Sequence, residues 1–148
     1  MKNASSNDGL KLRRYIETCP QPIAMALGYL HRSRSPQERL DACLRAGEIV
    51  ARYITAAALA SFAARPGAGT DGLSLTELEG SLSFGHFLTM IQKVSALNVT
   101  HPLSPHLAPF RSKKKGGTTE GGKANQALVG ILNLRNELGH DLAAISEA

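Results

Sequence analysis

SPQERLDACLRAGEIVARYITAAALASFAARPG, residues 35–67, is the stretch that decides the fold. Ser35 is an N-cap, Pro36 suits the first turn and Glu38 reaches back at the third position, so a helix starts here. Pro66-Gly67 stops it near Arg65. Between them, Leu40, Leu44, Gly47, Ala51, Ile54, Ala58 and Ser61 recur at helical spacing. Such a stripe predicts one long amphipathic helix whose small residues let a neighbour approach closely.

Outward from that helix the same period returns. Toward the N-terminus, residues 1–9 read as a polar tail, a short helix is expected over Leu10–Thr18, and a second over Ile23–His31. Toward the C-terminus, 66–73 is glycine-rich, Ser74–Glu79 reads as a capped helical turn, and Ser83–Leu97 as a helix bearing Phe84, Phe87, Leu88, Ile91 and Val94. Three prolines make 98–110 irregular, and RSKKKGGTTEGG at 111–122 reads as a mobile basic and glycine-rich loop. A last helix starts at Thr119 or Lys123 and runs to Ile145. No alternating stretch reads as a strand. The expectation is an all-α, antiparallel bundle of four to five helices, with 1–18 as tail and short helix and 19–148 as the bundle.

Composition agrees. Among 148 residues, 43% are apolar, 20% charged and 5% aromatic, with no Trp. That suffices for a core without disulfide or metal staples and leans away from β-sandwiches. Cys19 and Cys43 form no C-x-x-C pair, which excludes a zinc ribbon or a dithiol redox motif and fits reduced thiols in a cytoplasmic protein. MKNASSNDGL has no apolar leader core, and Ile54–Ala64 is too short to span a bilayer, so no membrane role is expected. Seventeen Lys and Arg against twelve Asp and Glu, a net charge of +5, favour a polyanionic or phosphate-bearing partner.

One residue breaks the last helix's apolar stripe. Counted in sevens from Leu128, the inward positions are 128, 131, 135, 138, 142 and 145, and Arg135 is the one among them that is neither Leu nor Ile. A guanidinium on that seam needs a carboxylate, a phosphate or another chain, because burying it unpaired costs several kcal/mol. Within the chain, Glu48 on the long helix is the expected supporting ion-pair partner. Asn136 and His140, four apart, share a face, while Arg135 and His140 lie about 140° apart round a regular helix.

Leu134-Arg135-Asn136-Glu137-Leu138-Gly139-His140 resembles the R-x4–6-H motif of the HEPN superfamily, in the form where Asn follows Arg. The pattern before it is similar to HEPN-like modules at the N-termini of bacterial defence and conflict proteins: Pro20–His31, the Ala-rich helix with Arg45-Ala46-Gly47-Glu48, and Ser83-Phe84-Gly85-His86-Phe87. The likeness covers about 19–142, and the RN-x-x-x-H piece carries its specificity. The resemblance implies a helical bundle that dimerises, or forms a larger homo-oligomer, to build one cleft from two motifs. It implies a metal-independent endoribonuclease with no cofactor, Arg135 and His140 as catalytic residues and Asn136 beside them. RNA is the implied substrate, and an antitoxin or other defence-system protein a possible partner. Family members commonly continue past the motif, so either the N-terminal helices complete the bundle or the sequence is part of a longer protein.

Arg111, Lys113, Lys114 and Lys115 are the residues expected to attract an RNA backbone. Two other readings stay open: a catalytically silent oligomerisation or recruitment domain of a larger defence protein, and a bundle that binds nucleic acid without cutting it. Gly117–Ala124 mimics a phosphate-binding loop, but Ala124 stands where a Ser or Thr would hold Mg²⁺, and RSKKK precedes it in place of a buried strand. Leu75–Val94 only faintly suggests a helix-turn-helix, its second helix being apolar. His86, His101 and His106 lack metal-ligand spacing, so no metal site is expected.

Overall fold

A computed structural model describes the backbone of residues 4–64, 82–97, 101–115 and 118–146, and the side chains of these apart from 4–8, 113–115, 118–120 and 139–146. The chain is mostly helical and divides into two compact units, 1–53 and 54–148.

In the first unit, α1 (Ala4–Thr18) packs against α2 (Gln21–Arg32), and α3 (Pro36–Ala63) begins. The α1 helix starts six residues before the expected Leu10. It closes where the Thr18 hydroxyl donates to the Arg14 carbonyl at 2.9 Å, just ahead of Pro20. His31 and Arg32 occupy the last turn of α2, where cations oppose the negative end of the helix dipole. Ser33 ends the helix by donating both its N–H and its hydroxyl to the Tyr29 carbonyl.

The expected capping box at the head of α3 is present. The Glu38 N–H donates to Ser35 Oγ at 3.1 Å, and Glu38 Oε2 accepts from the N–H groups of Ser35 (3.2 Å) and Arg34 (2.8 Å). Gly47, Ala51 and Ala58 of the expected α3 stripe are buried, and Ala42, Ala46, Thr55 and Phe62 are buried with them. The larger Leu40, Leu44 and Ile54 of the expected stripe are half-buried at its edge.

The second unit takes up α3 from Ile54 and adds α4 (Phe84–Ala96), the short α5 (Ser104–Leu107), a 3-10 turn (Ala108–Phe110), an antiparallel hairpin and α6 (Lys123–Ser146). Its core includes Ala58, Phe62, Val94 and Leu107, with Ile54, Leu59, Leu97, Leu103 and Phe110 around them. Thr55 is buried in α3 and donates to the Phe87 carbonyl of α4 at 3.1 Å, so its hydroxyl is satisfied. His101 is buried too. Its ring stacks on Phe62 with centroids 4.1 Å apart, and Nδ1 accepts the Leu103 N–H at 3.1 Å. On the other side Nε2 faces the hydroxyl and carbonyl of Ser61.

The segment 111–122 differs from the expected loop. Its strands, β1 (Ser112–Lys115) and β2 (Thr118–Gly121), pair in the register Ser112 with Gly121, Lys113 with Glu120, Lys114 with Thr119 and Lys115 with Thr118. Gly116-Gly117 is the sequence signal for such a two-residue hairpin connection. At the open end the Gly122 N–H donates to the Arg111 carbonyl at 3.0 Å, and Gln126 Nε2 donates to the Gly121 carbonyl at 2.8 Å. Gly122 lies so close to the Pro109 carbonyl that a Cβ would come within 2.2 Å of its oxygen.

Two predictions follow from these contacts. Two backbone N–H bonds hold the exposed Glu38 carboxyl below its ordinary pKa, the Arg34 bond having the larger effect. A depressed folded-state value adds stability at neutral pH that fades as pH falls through it. The carboxyl resonance of Glu38 should therefore titrate below that of an unstructured Glu, with the Arg34 and Ser35 amide resonances moving at the same midpoint. Gly122→Ala should destabilise the fold by about 1–3 kcal/mol, read by urea unfolding, because backbone must shift to admit the methyl group.

Candidate functional site

Two contacts set the register of α4 against α6. Gln92 Nε2 donates to Asn125 Oδ1 at 2.7 Å, with Asn125 buried. Seven residues earlier on α4, Gly85 faces Leu132, seven residues later on α6, and a Cβ on Gly85 would sit 3.8 Å from the Leu132 Cδ2. The two helices therefore run antiparallel. Since α4 starts at Phe84, its cover of α6 ends at about Leu132.

Exposure along α6 follows that register. Leu128 is buried, Ile131 and Leu132 are half-buried, and Asn133, Leu134, Arg135, Asn136 and Glu137 are all exposed. Five consecutive helical residues sweep about 400°, so exposed positions occur all round the helix there. This corrects the expected place of Arg135. It lies on the surface, because counting in sevens assumes a packing partner along the whole helix and α4 accompanies only the first part. Leu138 is half-buried again.

Position 140 continues the same helix, while the side chain of His140 lies outside the described residues, as do those of Leu142 and Ile145. By helix geometry, 136 and 140 are one turn apart on one face, and 135 is about 140° round from 140 with a rise of about 7.5 Å. A regular helix thus presents the motif on two sides.

Glu48 has a partner that the sequence reading did not weigh: its carboxylate pairs with Arg52, one turn further along α3. The basic segment resolves unevenly. Lys113, Lys114 and Lys115 form β1, and their side chains lie outside the described residues. Arg111 is exposed, yet its Nε donates to the Ser95 carbonyl at 2.7 Å, in the last turn of α4. A guanidinium there satisfies a helix-end carbonyl and opposes the dipole. Its remaining N–H groups can still serve a phosphate.

Another pairing has a structural explanation. Ser83 Oγ lies 2.9 Å from His86 Nδ1, the spacing of a nucleophile and its base. The same nitrogen accepts the Ser83 N–H at 3.0 Å, so the pair is a capping box in which His replaces Glu at the head of α4. Cys19 and Cys43 are free and half-buried. Among the described residues, no three His, Cys, Asp or Glu side chains converge as a metal site would require, and no helix is long and apolar enough to cross a membrane.

No family model, curated protein or solved structure matches this chain. Its chemistry must be argued from its own residues.

Arg111 offers a direct check on its structural part. Arg111→Ala should lower stability by about 1–2 kcal/mol in thermal or urea unfolding, through loss of the charge-assisted bond to the Ser95 carbonyl.

Proposed function

We propose that the chain is a HEPN-like, metal-independent endoribonuclease module of a bacterial toxin or defence system, working as a dimer or larger homo-oligomer. The observation that carries this reading is the Arg135-Asn136-x-x-x-His140 spacing on α6, with Arg135 and Asn136 exposed. The basic segment 111–115 and the net charge of +5 are consistent with a polyanionic substrate.

RNA supplies its own nucleophile. The 2′-hydroxyl loses its proton to a base and its oxygen bonds to phosphorus, while the bond from phosphorus to the 5′-oxygen breaks and that oxygen gains a proton from an acid. The products are a 2′,3′-cyclic phosphate and a 5′-hydroxyl. Histidine titrates near neutrality and suits either proton role. Arginine stays charged and forks onto the phosphorane oxygens as their charge grows. Asn136, one turn before His140, orients the imidazole or holds a phosphate oxygen. Positions 135 and 140 diverge on one helix, so two copies bring an arginine from one chain and a histidine from the other to the same phosphate.

A second reading, a silent oligomerisation domain, is favoured by Leu134, which is 38% exposed beside Arg135 on α6. A large apolar side chain there suits a helix face covered by a further chain whether or not chemistry occurs.

The purified chain in EDTA should cleave single-stranded RNA to cyclic-phosphate ends. Arg135→Ala and His140→Ala should each reduce the rate by at least about 100-fold, the low end for a lost proton-transfer group, with the circular dichroism unchanged. If RNA stays intact with the parent protein while Leu134→Glu turns an oligomer into a monomer, the silent domain is the correct description.

A further inference from the structure

One face of α2 has no explanation in the packing of its own unit. Met25 is 66% exposed and Tyr29 48%. They are four residues apart, so they form one apolar ridge along the helix. The ridge separates two recesses. The larger, about 420 Å³, lies toward α1 and is floored by Ile16, Ala24 and Gly28, with Arg32 at its edge. The smaller, about 210 Å³, lies toward α3 and is lined by Ala42 and Ile49, with Arg45 at its edge. Small residues make the floors, and a ridge between two holes is the relief into which a helix sets successive side chains.

Charge selects the occupant. Residues 1–53 hold nine Lys and Arg against five Asp and Glu, a net of +4, while 54–148 carry eight against seven, a net of +1. Both recesses thus have a guanidinium at the rim, on the unit that bears most of the positive charge. A second copy of the same face would set that charge against itself across a two-fold axis, which disfavours self-association there. The apolar surface is partly recessed, which suits inserted side chains better than a flat lipid surface. Met, being flexible and polarisable, adapts to such a partner.

We propose that the paired grooves on either side of Met25 and Tyr29 dock an acidic amphipathic helix of another protein. Apolar side chains of that helix, spaced three and four apart, fill the two recesses, and its carboxylates meet Arg32 and Arg45. This is independent of the ribonuclease reading, because none of these residues belongs to the motif on α6.

The test uses the full chain and a fluorescent helical peptide of about five turns with Leu at heptad spacing and Glu elsewhere. Two control peptides are a scramble of the same composition and a version with Lys for Glu. By anisotropy, the acidic amphipathic peptide should bind at least about tenfold more tightly than either control, since charge and fit together exceed one tenfold step of affinity. Met25→Glu should weaken it about tenfold, and Arg32→Ala with Arg45→Ala should weaken it and flatten its dependence on salt. Gly28→Ala guards against loss through misfolding. Its new methyl group meets nothing nearer than the end of the Arg32 side chain at 3.6 Å, and alanine favours the helix, yet the methyl occupies the floor of the larger groove. Weaker binding by this variant, with thermal stability unchanged or raised, supports the assignment. Equal binding of the scramble, indifference to all these variants, loss of a dimer in Met25→Glu, or preferential capture of phosphatidylserine vesicles or RNA on this face would each overturn it.

Discussion

The register of α4 on α6 is the constraint on which the placement of the motif depends. It is held by an amide pair, half-buried Gln92 with buried Asn125, and by van der Waals contact between Gly85 and Leu132. Sliding α6 by one residue would rotate its faces by about 100° and leave Asn125 buried without its partner, at a cost of about 1–3 kcal/mol. Because that register is fixed, so is the point where α6 outruns its neighbour. Asn133–Glu137, beyond the cover of α4, are exposed.

Much around this joint serves the same end. Arg111 donates to the last turn of α4, its carbonyl accepts from Gly122, and Gly122 closes on Pro109 with no room for a side chain. The hairpin is thus tied to α4 and to the head of α6 at its open end. The base of this lysine- and glycine-rich segment is held by one side-chain bond, from Arg111, and by backbone contacts of Gly122.

How much of this was legible beforehand depends on the range of the interaction. Local chemistry was readable: Ser35 and Glu38 announced the head of α3, Pro20 the end of α1, and helical periodicity the class of fold. Features set by a distant partner were not. The buried line of α3 keeps Gly47, Ala51 and Ala58 of the expected stripe but leaves Leu40, Leu44 and Ile54 half-buried, because burial reflects what approaches the helix, which periodicity does not encode. Arg135 was assigned to a seam on the assumption that the apolar face of α6 is covered throughout. The flanks of Gly116-Gly117 lack strand-like alternation, which is why 111–122 reads as a loop in sequence. The capping use of His86 and the burial of His101 left no local trace, since a lone histidine fits caps, cores and surfaces alike.

The exposed position of Arg135 changes the physical argument for a catalytic role without removing it. A buried guanidinium would have demanded a partner on energetic grounds alone. An exposed one makes no such demand, so the proposed site rests on spacing and on the exposure of Arg135 and Asn136. That geometry constrains any mechanism. With 135 and 140 about 140° apart, a phosphate reached by both along one regular helix would sit at the edge of each side chain's range. Two helices from separate copies remove the conflict, since each then offers a different side to the same phosphodiester. The proposed chemistry and the proposed oligomer therefore stand or fall together: an active monomer would need α6 to depart from regular helix between Arg135 and His140.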